Sequence, residues 1–472
     1  MSSSVFSLLH PKIKRLLSDK KIIEPTQPQE KAIPEILKEK NVLLIAPTGH
    51  GKTESAILPV FHQLIQLKQE EQEKKDLGIR VIYITPLRAL NRDMLRRTMD
   101  WGKVLGIDIA VRHGDTSEKE RARQSRHPPD MLITTPETFQ ILFVGKRLRT
   151  YLHRVKWVIV DEIHELAHDE RGAQLSVGLE RLEELTVVKD HSFQRIGLSA
   201  TVGDPAEVAR YLGGLQRKDM FRPVSILEVD ATKHMELLVE IPHVIKDDYR
   251  KAALFTMEPR SFAALRRCKK LIDDHVSTLL FINTRDGAEI LSSRLHLWQP
   301  DYEVGVHHGS LSKIARIEAE DQFKSGMLKA LICTSSLELG IDVGSTDFII
   351  QYNSPREVTR IVQRLGRSGH SIGETSNGVI LATSAEELAE SLVIARKTLH
   401  GELEIFSVRQ NPLSVLSNQI ISIALSEGRI QRDQMFMIIT RSYPFHDLTK
   451  QRFDQMVDQL GGQRSILSLI HI

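Results

Sequence analysis

From residue 41 onward, short apolar runs rich in β-branched residues alternate with amphipathic stretches, and each run is bounded by turn residues. That alternation restricts the chain to parallel sheets with crossover helices, because strands buried on both faces read as continuous apolar runs. The runs at 42–46, 81–85, 131–134, 157–161 and 195–199 read as strands, and 172–185 reads as one of the intervening helices. A second alternation begins near Thr278, with runs at 278–282, 331–334, 348–351 and 379–382. At 472 residues the chain also exceeds what one hydrophobic core sustains. The expected class is therefore α/β, with two tandem parallel-sheet domains over residues 1–220 and 221–405 and a helical element over 406–472. Residues 221–242 carry two strand-like runs without a helix between them and suit a connector. After Asn411 only short helical patterns follow.

Composition narrows the function classes. The formal net charge is only +3, so any nucleic-acid footprint has to be local. Cys268 and Cys333 are the only cysteines, too few for a zinc or iron–sulfur site and not a disulfide framework, so metal chemistry would come from a bound ion. No apolar run reaches about 18 residues and the start lacks a signal-peptide pattern, which leads to an expected cytoplasmic location without membrane contact. The polar run 68–76 reads as a solvated loop or helix end.

Three stretches carry chemistry. Ala-Pro-Thr-Gly-His-Gly-Lys-Thr at 46–53 follows a strand and opens a helix, the context a phosphate cradle requires. Thr48, Gly49, His50 and Gly51 would offer backbone N–H groups to a triphosphate, Lys52 would bridge its outer phosphates, and Thr53 would ligate Mg²⁺. The run 157–161 ends in Asp-Glu-Ile-His at 161–164, which puts two carboxylates and a histidine at the carboxyl end of a strand. Asp161 would hold Mg²⁺ and Glu162 would deprotonate the attacking water, with His164 beside them. Alone, two neighbouring acids also fit a solvated strand end; beside a phosphate loop they fit an ATPase. Gln363, Arg364 and Arg367 belong to Gln-Arg-Leu-Gly-Arg-Ser-Gly-His at 363–370, far in sequence from the loop, and such guanidinium forks suit an arginine finger.

Taken together, these stretches resemble superfamily 2 helicases over residues 24–400. Pro-Thr-Gln-Pro-Gln at 25–29 looks like the adenine-reading Q motif, with Gln29 as reader. Residues 85–91, with Pro86, Arg88 and Asn91, and 134–137, with Thr135 and Pro136, resemble motifs Ia and Ib. Ser-Ala-Thr at 199–201 is similar to motif III, and 281–285, with Thr284 and Arg285, to motif IV. The run 334–342 looks like motif V, in which Thr334 would grip the strand and Asp342 would face the nucleotide. Within the superfamily, His-Gly-Asp-Thr at 113–116, the extension at 169–172, His-His-Gly-Ser-Leu-Ser at 307–312 with His308 and Ser310, and Gly-Arg-Ser-Gly-His at 366–370 resemble the large helicase-related (Lhr) family. His50 and His370 depart from the usual motif residues, which points the finger assignment to Arg367.

The resemblance implies two RecA-like domains, ATP and Mg²⁺ as cofactors, and 3′-to-5′ translocation on single-stranded DNA with duplex unwinding, in repair or recombination. The same motifs would grip RNA, since choosing between the two depends on 2′-hydroxyl contacts. A non-catalytic clamp is the other reading, against which stand the intact Lys52, Asp161, Glu162 and Arg367. Residues 411–462 resemble the opening helices of the family's winged helix, and the chain stops where wing strands would follow. An ATPase that separates duplexes poorly is the expectation from that. Oligomeric state is left open.

Overall fold

A computed structural model describes residues 4–47, 49–70, 78–86, 92–187, 191–217, 220–229, 235–338, 346–368 and 375–462. They fall into two compact units, one drawn from residues 1–46, 50–230 and 405–472, the other from 47–49 and 231–404.

The first unit is built on strands β1 Val42–Ile45, β2 Val81–Ile84, β3 Ile109–Arg112, β4 Met131–Thr134, β5 Trp157–Val160, β6 Gln194–Ser199 and β7 Ser225–Glu228. They form one parallel sheet in the order β3-β4-β2-β5-β6-β1-β7. Every residue of β1, β2, β4, β5 and β6 is buried, the pattern of a sheet covered by helices on both faces. Two apolar clusters fill those faces, one under the helix Lys52–Glu70 and one under the helix Glu170–Val187.

The second unit repeats the plan. Its strands are β8 Met235–Glu240, β9 Thr278–Phe281, β10 Val304–His307, β11 Ala330–Cys333, β12 Phe348–Tyr352 and β13 Ser376–Leu381, ordered β8-β13-β12-β9-β11-β10 and parallel throughout.

The two runs expected in a connector at 221–242 are both strands, and each has a sheet to join. β7 pairs with β1 as the edge of the first sheet, and β8 pairs with β13 as the edge of the second. The polar run at 68–76 ends the helix Lys52–Glu70; its residues from 71 on lie outside the described ones.

The carboxy-terminal helices Leu413–Glu427, Arg432–Thr440 and Lys450–Gly462 group with the first unit instead of standing apart. Val415, Ile420, Ile439, Phe445 and Phe453 pack onto Ala173 and Val177 of the helix Glu170–Val187. Polar contacts lock the same seam. Fully buried Glu180 takes Arg195 at 2.9 Å, Arg222 at 2.9 Å and Arg441 at 3.5 Å. A carboxylate without access to water needs such compensation, and Arg441 supplies part of it from the helical element. Its backbone carbonyl also accepts from Leu215 N–H at 2.7 Å.

Candidate nucleotide and nucleic-acid site

The turn after β1 depends on two glycines with left-handed backbone, Gly49 at φ 82° and Gly51 at φ 80°. Gly51 is constrained twice, since a Cβ there would meet Gln29 Nε2 at 2.9 Å and Thr26 Oγ1 at 3.2 Å. Gln29 thus packs on the loop. Its Oε1 accepts from Thr26 N–H at 3.0 Å, and Thr26 Oγ1 donates to the His50 carbonyl at 3.0 Å, tying the Q-motif residues to the loop backbone. The helix Lys52–Glu70 then starts on Lys52, presenting its N-terminus to the turn. Thr48 lies outside the described residues.

Lys52 Nζ is buried and has no hydrogen-bond acceptor among the described residues; its ion-pair partner is Glu162 Oε2 at 3.8 Å. A buried ammonium so placed fits a phosphate oxygen, which would complete its bonding. Glu162 adopts left-handed φ 47° at the carboxyl end of β5, a conformation that is uncommon for non-glycine residues and gathers at functional sites. Asp161 Oδ1 accepts from Glu162 N–H at 3.0 Å, and Asp161 Oδ2 accepts from the Tyr83 hydroxyl at 2.6 Å. Burial, reinforced by the neighbouring Glu162 carboxylate, pushes the Asp161 carboxyl up to about 7. A cation beside it would reverse that shift, and hard oxygen donors such as the Asp161 carboxylate and the Thr53 hydroxyl suit Mg²⁺.

His164 faces the same cluster from the next turn, 3.7 Å from Glu162 Oε2. Its Nδ1 accepts from Ala200 N–H at 3.3 Å and lies 3.2 Å from Ser199 Oγ. Burial draws its imidazole down to about 4, against the opposing pull of Glu162, so the ring is neutral. Asp161–His164 and the segment after β6 are thereby joined through one neutral ring.

In the second unit, Arg364 and Arg367 diverge. Arg364 is 1% exposed, donates from Nε to Glu338 Oε1 at 2.8 Å, makes further bonds to Glu338 and to Gln351 Oε1, and stacks over Phe281. Its guanidinium is thus engaged with Glu338 and Gln351 inside the unit. Arg367, also buried, donates from Nη2 to the Glu338 carbonyl at 2.7 Å. Glu338 therefore holds both arginines, one by its side chain and one by its backbone. Gln363 is buried on the same helix end, and Asp342 and His370 lie outside the described residues.

The strand-contact candidates sort by sheet position. In the first sheet Pro86 follows β2 and Thr135 follows β4, whereas Lys52, Asp161 and Ser199 follow or end β1, β5 and β6. The strand-contact candidates and the nucleotide candidates thus lie on different strands along the carboxyl edge. Thr135 is buried, and its hydroxyl caps the helix Pro136–Val144 by accepting from Thr138 N–H at 3.4 Å, with Pro136 as the first helical residue. Arg88 and Asn91 lie outside the described residues. In the second sheet Thr284, His308 and Thr334 follow the neighbouring strands β9, β10 and β11. Arg285 Nη1 donates to Ser310 Oγ at 2.7 Å, and Ser310 N–H donates to His308 Nδ1 at 3.3 Å, gathering these three into one cluster. Thr284 caps the helix Arg285–Trp298, and Thr334 is buried. Sequence reasoning missed Tyr83, Glu338 and Gln351, which read as ordinary strand or loop residues until their partners are seen.

A glycine-turn phosphate loop and an Asp-Glu pair on one parallel sheet, with a Gln-Arg-Leu-Gly-Arg segment on a second, define a superfamily 2 helicase fold of two RecA-like domains. Family patterns agree: DEAD/DEAH box helicase matches residues 26–208, helicase conserved C-terminal domain 263–371, and large helicase-related protein, winged helix domain 396–468. The chain is 38% identical over 453 residues to the ATP-dependent helicase Lhr-Core protein 2 of Thermococcus barophilus, covering 93% of this chain and 51% of that protein. It is likewise 38% identical over 450 residues to the ATP-dependent helicase Lhr-Core of Methanocaldococcus jannaschii, covering 93% and 51%. Among solved structures, the Mycobacterium smegmatis helicase Lhr bound to ssDNA and AMP-PNP superposes with a TM-score of 0.83 at 34% identity, over 97% of this chain and 58% of that one. The chain belongs to the large helicase-related (Lhr) family, and it spans about half the length of the curated relatives it matches.

Proposed function

We propose that this chain is an ATP-hydrolysing motor that translocates 3′ to 5′ on single-stranded DNA and separates duplexes, serving repair or recombination. The observation that carries the reading is the buried cluster at the carboxyl ends of β1 and β5, where Lys52 Nζ lies 3.8 Å from Glu162 and Asp161 adjoins both.

In this mechanism Lys52 binds the outer phosphates and the loop N–H groups cradle them. Thr53 and Asp161 would hold Mg²⁺, which supplies charge neutralisation at the phosphates when bound. Glu162 orients the attacking water and takes its proton. Neutral His164 accepts from Ala200 N–H, so a shift of the Asp161–His164 turn is felt at the segment after β6. Arg367 acts as the arginine finger, held ready by the Glu338 carbonyl. Pro86 and Thr135 of the first unit, and Thr284, Arg285, His308, Ser310 and Thr334 of the second, would each grip phosphates of the strand and not read base sequence.

DNA is favoured over RNA because the mycobacterial relative at 34% identity is a complex with ssDNA and AMP-PNP. The deciding experiment compares ATP hydrolysis stimulated by single-stranded DNA and RNA oligonucleotides of one sequence. Stronger stimulation by DNA is expected. Stimulation by RNA alone would move the substrate, and no turnover with either would leave a clamp.

A further inference from the structure

Tyr83 lies at the third position of β2, with no exposed surface, on the sheet face covered by the helix Lys52–Glu70. β2 pairs with β5 in a register that sets Tyr83 beside Ile159 and Ile84 beside Val160, so the ring stands next to the strand that ends at Asp161. Its hydroxyl donates to Asp161 Oδ2 at 2.6 Å, a short bond of the charge-assisted kind. One phenol on β2 therefore holds the carboxylate that follows β5.

Asp161 is one of the two oxygen donors that the nucleotide reading gives to Mg²⁺, and the inference rests on that reading. Its Oδ1 accepts from Glu162 N–H, which leaves the Tyr83 hydroxyl, among the described residues, to fix Oδ2. A buried tyrosine needs a partner for its hydroxyl, and any acceptor in the core would satisfy it. Here the acceptor is the cation-binding Asp161. We propose that Tyr83 is a positioning residue that fixes the orientation of the Asp161 carboxylate toward the Mg²⁺ of a bound Mg–nucleotide, so that its hydroxyl sets cation affinity without touching nucleotide or metal.

Tyr83→Phe keeps the ring in the core and removes only the oxygen. The test measures binding of a fluorescent ATP analogue to the whole chain across a Mg²⁺ titration and again in excess chelator, with the thermal midpoint recorded alongside. The expected result is chelator-state affinity within about twofold of wild type, a half-saturating Mg²⁺ concentration raised about tenfold, the scale of one lost bond to a charged group, and a matching rise in the Mg²⁺ needed for half-maximal hydrolysis. Tyr83→Leu, which also removes the ring, is expected to lower the thermal midpoint further while shifting the Mg²⁺ dependence alike. An unchanged Mg²⁺ titration in both variants, whatever their midpoints, overturns the proposal and leaves Tyr83 as core packing. Wild type that binds no nucleotide under any condition would instead overturn the reading on which the proposal rests.

Discussion

Alanine in place of Arg364 removes a guanidinium with 1% side-chain exposure from a carboxylate, Glu338, with 8%. Breaking such a pair leaves Glu338 buried without its guanidinium, which costs about 3–5 kcal/mol. The Gln351 amide oxygen loses its donor as well. For a domain of this size each kcal/mol lowers the thermal midpoint by roughly 2–4 °C, so a drop of about 6–20 °C is expected. Replacing Arg364 and Glu338 together by leucine removes the stranded charge, and that double variant should recover most of the loss. Arg367→Lys provides the contrast within the same segment. Its Nη2 donates to the Glu338 backbone carbonyl, a bond that a lysine ammonium can also make, so the midpoint should move by no more than about 1–2 °C, whereas loss of the planar fork should cut turnover by about 10³-fold. The assay pairs far-UV circular dichroism melts with steady-state ATP hydrolysis on all four chains. A shift below about 2 °C for Arg364→Ala would refute the buried-pair argument, and normal turnover in Arg367→Lys would refute the finger.

Lys52→Ala is expected to abolish ATP binding and hydrolysis, while Glu162→Gln should bind ATP and fail to hydrolyse it; near wild-type turnover in either would remove the first unit from the mechanism. Affinity for single strands should fall with salt at a log–log slope of about −0.7 per phosphate neutralised, and Arg285→Ala should reduce that slope by about one contact. An unchanged slope would place Arg285 off the path. His164 has its folded value drawn down to about 4 from 6.5, so the unfolded chain binds the extra proton between those limits. Its contribution to stability is complete above 6.5 and is lost as pH falls toward 4. Acid melts of His164→Asn should therefore be flatter than wild type across that window, after allowing for Asp161, whose raised value gives the opposite slope. Equal slopes would mean a solvated ring.

Much of this was legible in the sequence because parallel strands announce themselves as fully apolar runs and the phosphate loop is a contiguous string. β3 and β10 escaped notice: Ile109–Arg112 ends on an arginine, and Val304–His307 includes a glycine and ends on a histidine, so both edge strands lack the buried-strand signature. β7 and β8 were visible as strand-like runs, but pairing is non-local, and nothing in 221–242 says that its two runs serve different sheets. Within the site, contiguous motifs could be read and bonds between motifs could not. Arg364 and Arg367 look alike in the string Gln-Arg-Leu-Gly-Arg, and only the part of Glu338 that each one bonds, side chain for Arg364 and backbone carbonyl for Arg367, tells them apart. Tyr83 looks like strand filling until its hydroxyl is traced to Asp161.

The seam between the helix Glu170–Val187 and the carboxy-terminal helices bears on how the chain is made. The first unit takes its residues from both sides of the second, since 231–404 intervene between its two segments. During synthesis the first sheet leaves the ribosome before the second, yet Ala173, Val177 and the carboxylate of Glu180 must wait for Arg441 and Phe453, made more than 250 residues later. At about 5–20 residues per second that is an interval of some tens of seconds with an apolar face and a buried-type carboxylate open to water. The second unit, whose strands are contiguous in sequence, can finish folding inside that interval. A fragment cut after residue 230 would carry the phosphate loop and the Asp-Glu pair and still be an unfinished domain, prone to self-association through the face its own distant helices are meant to cover.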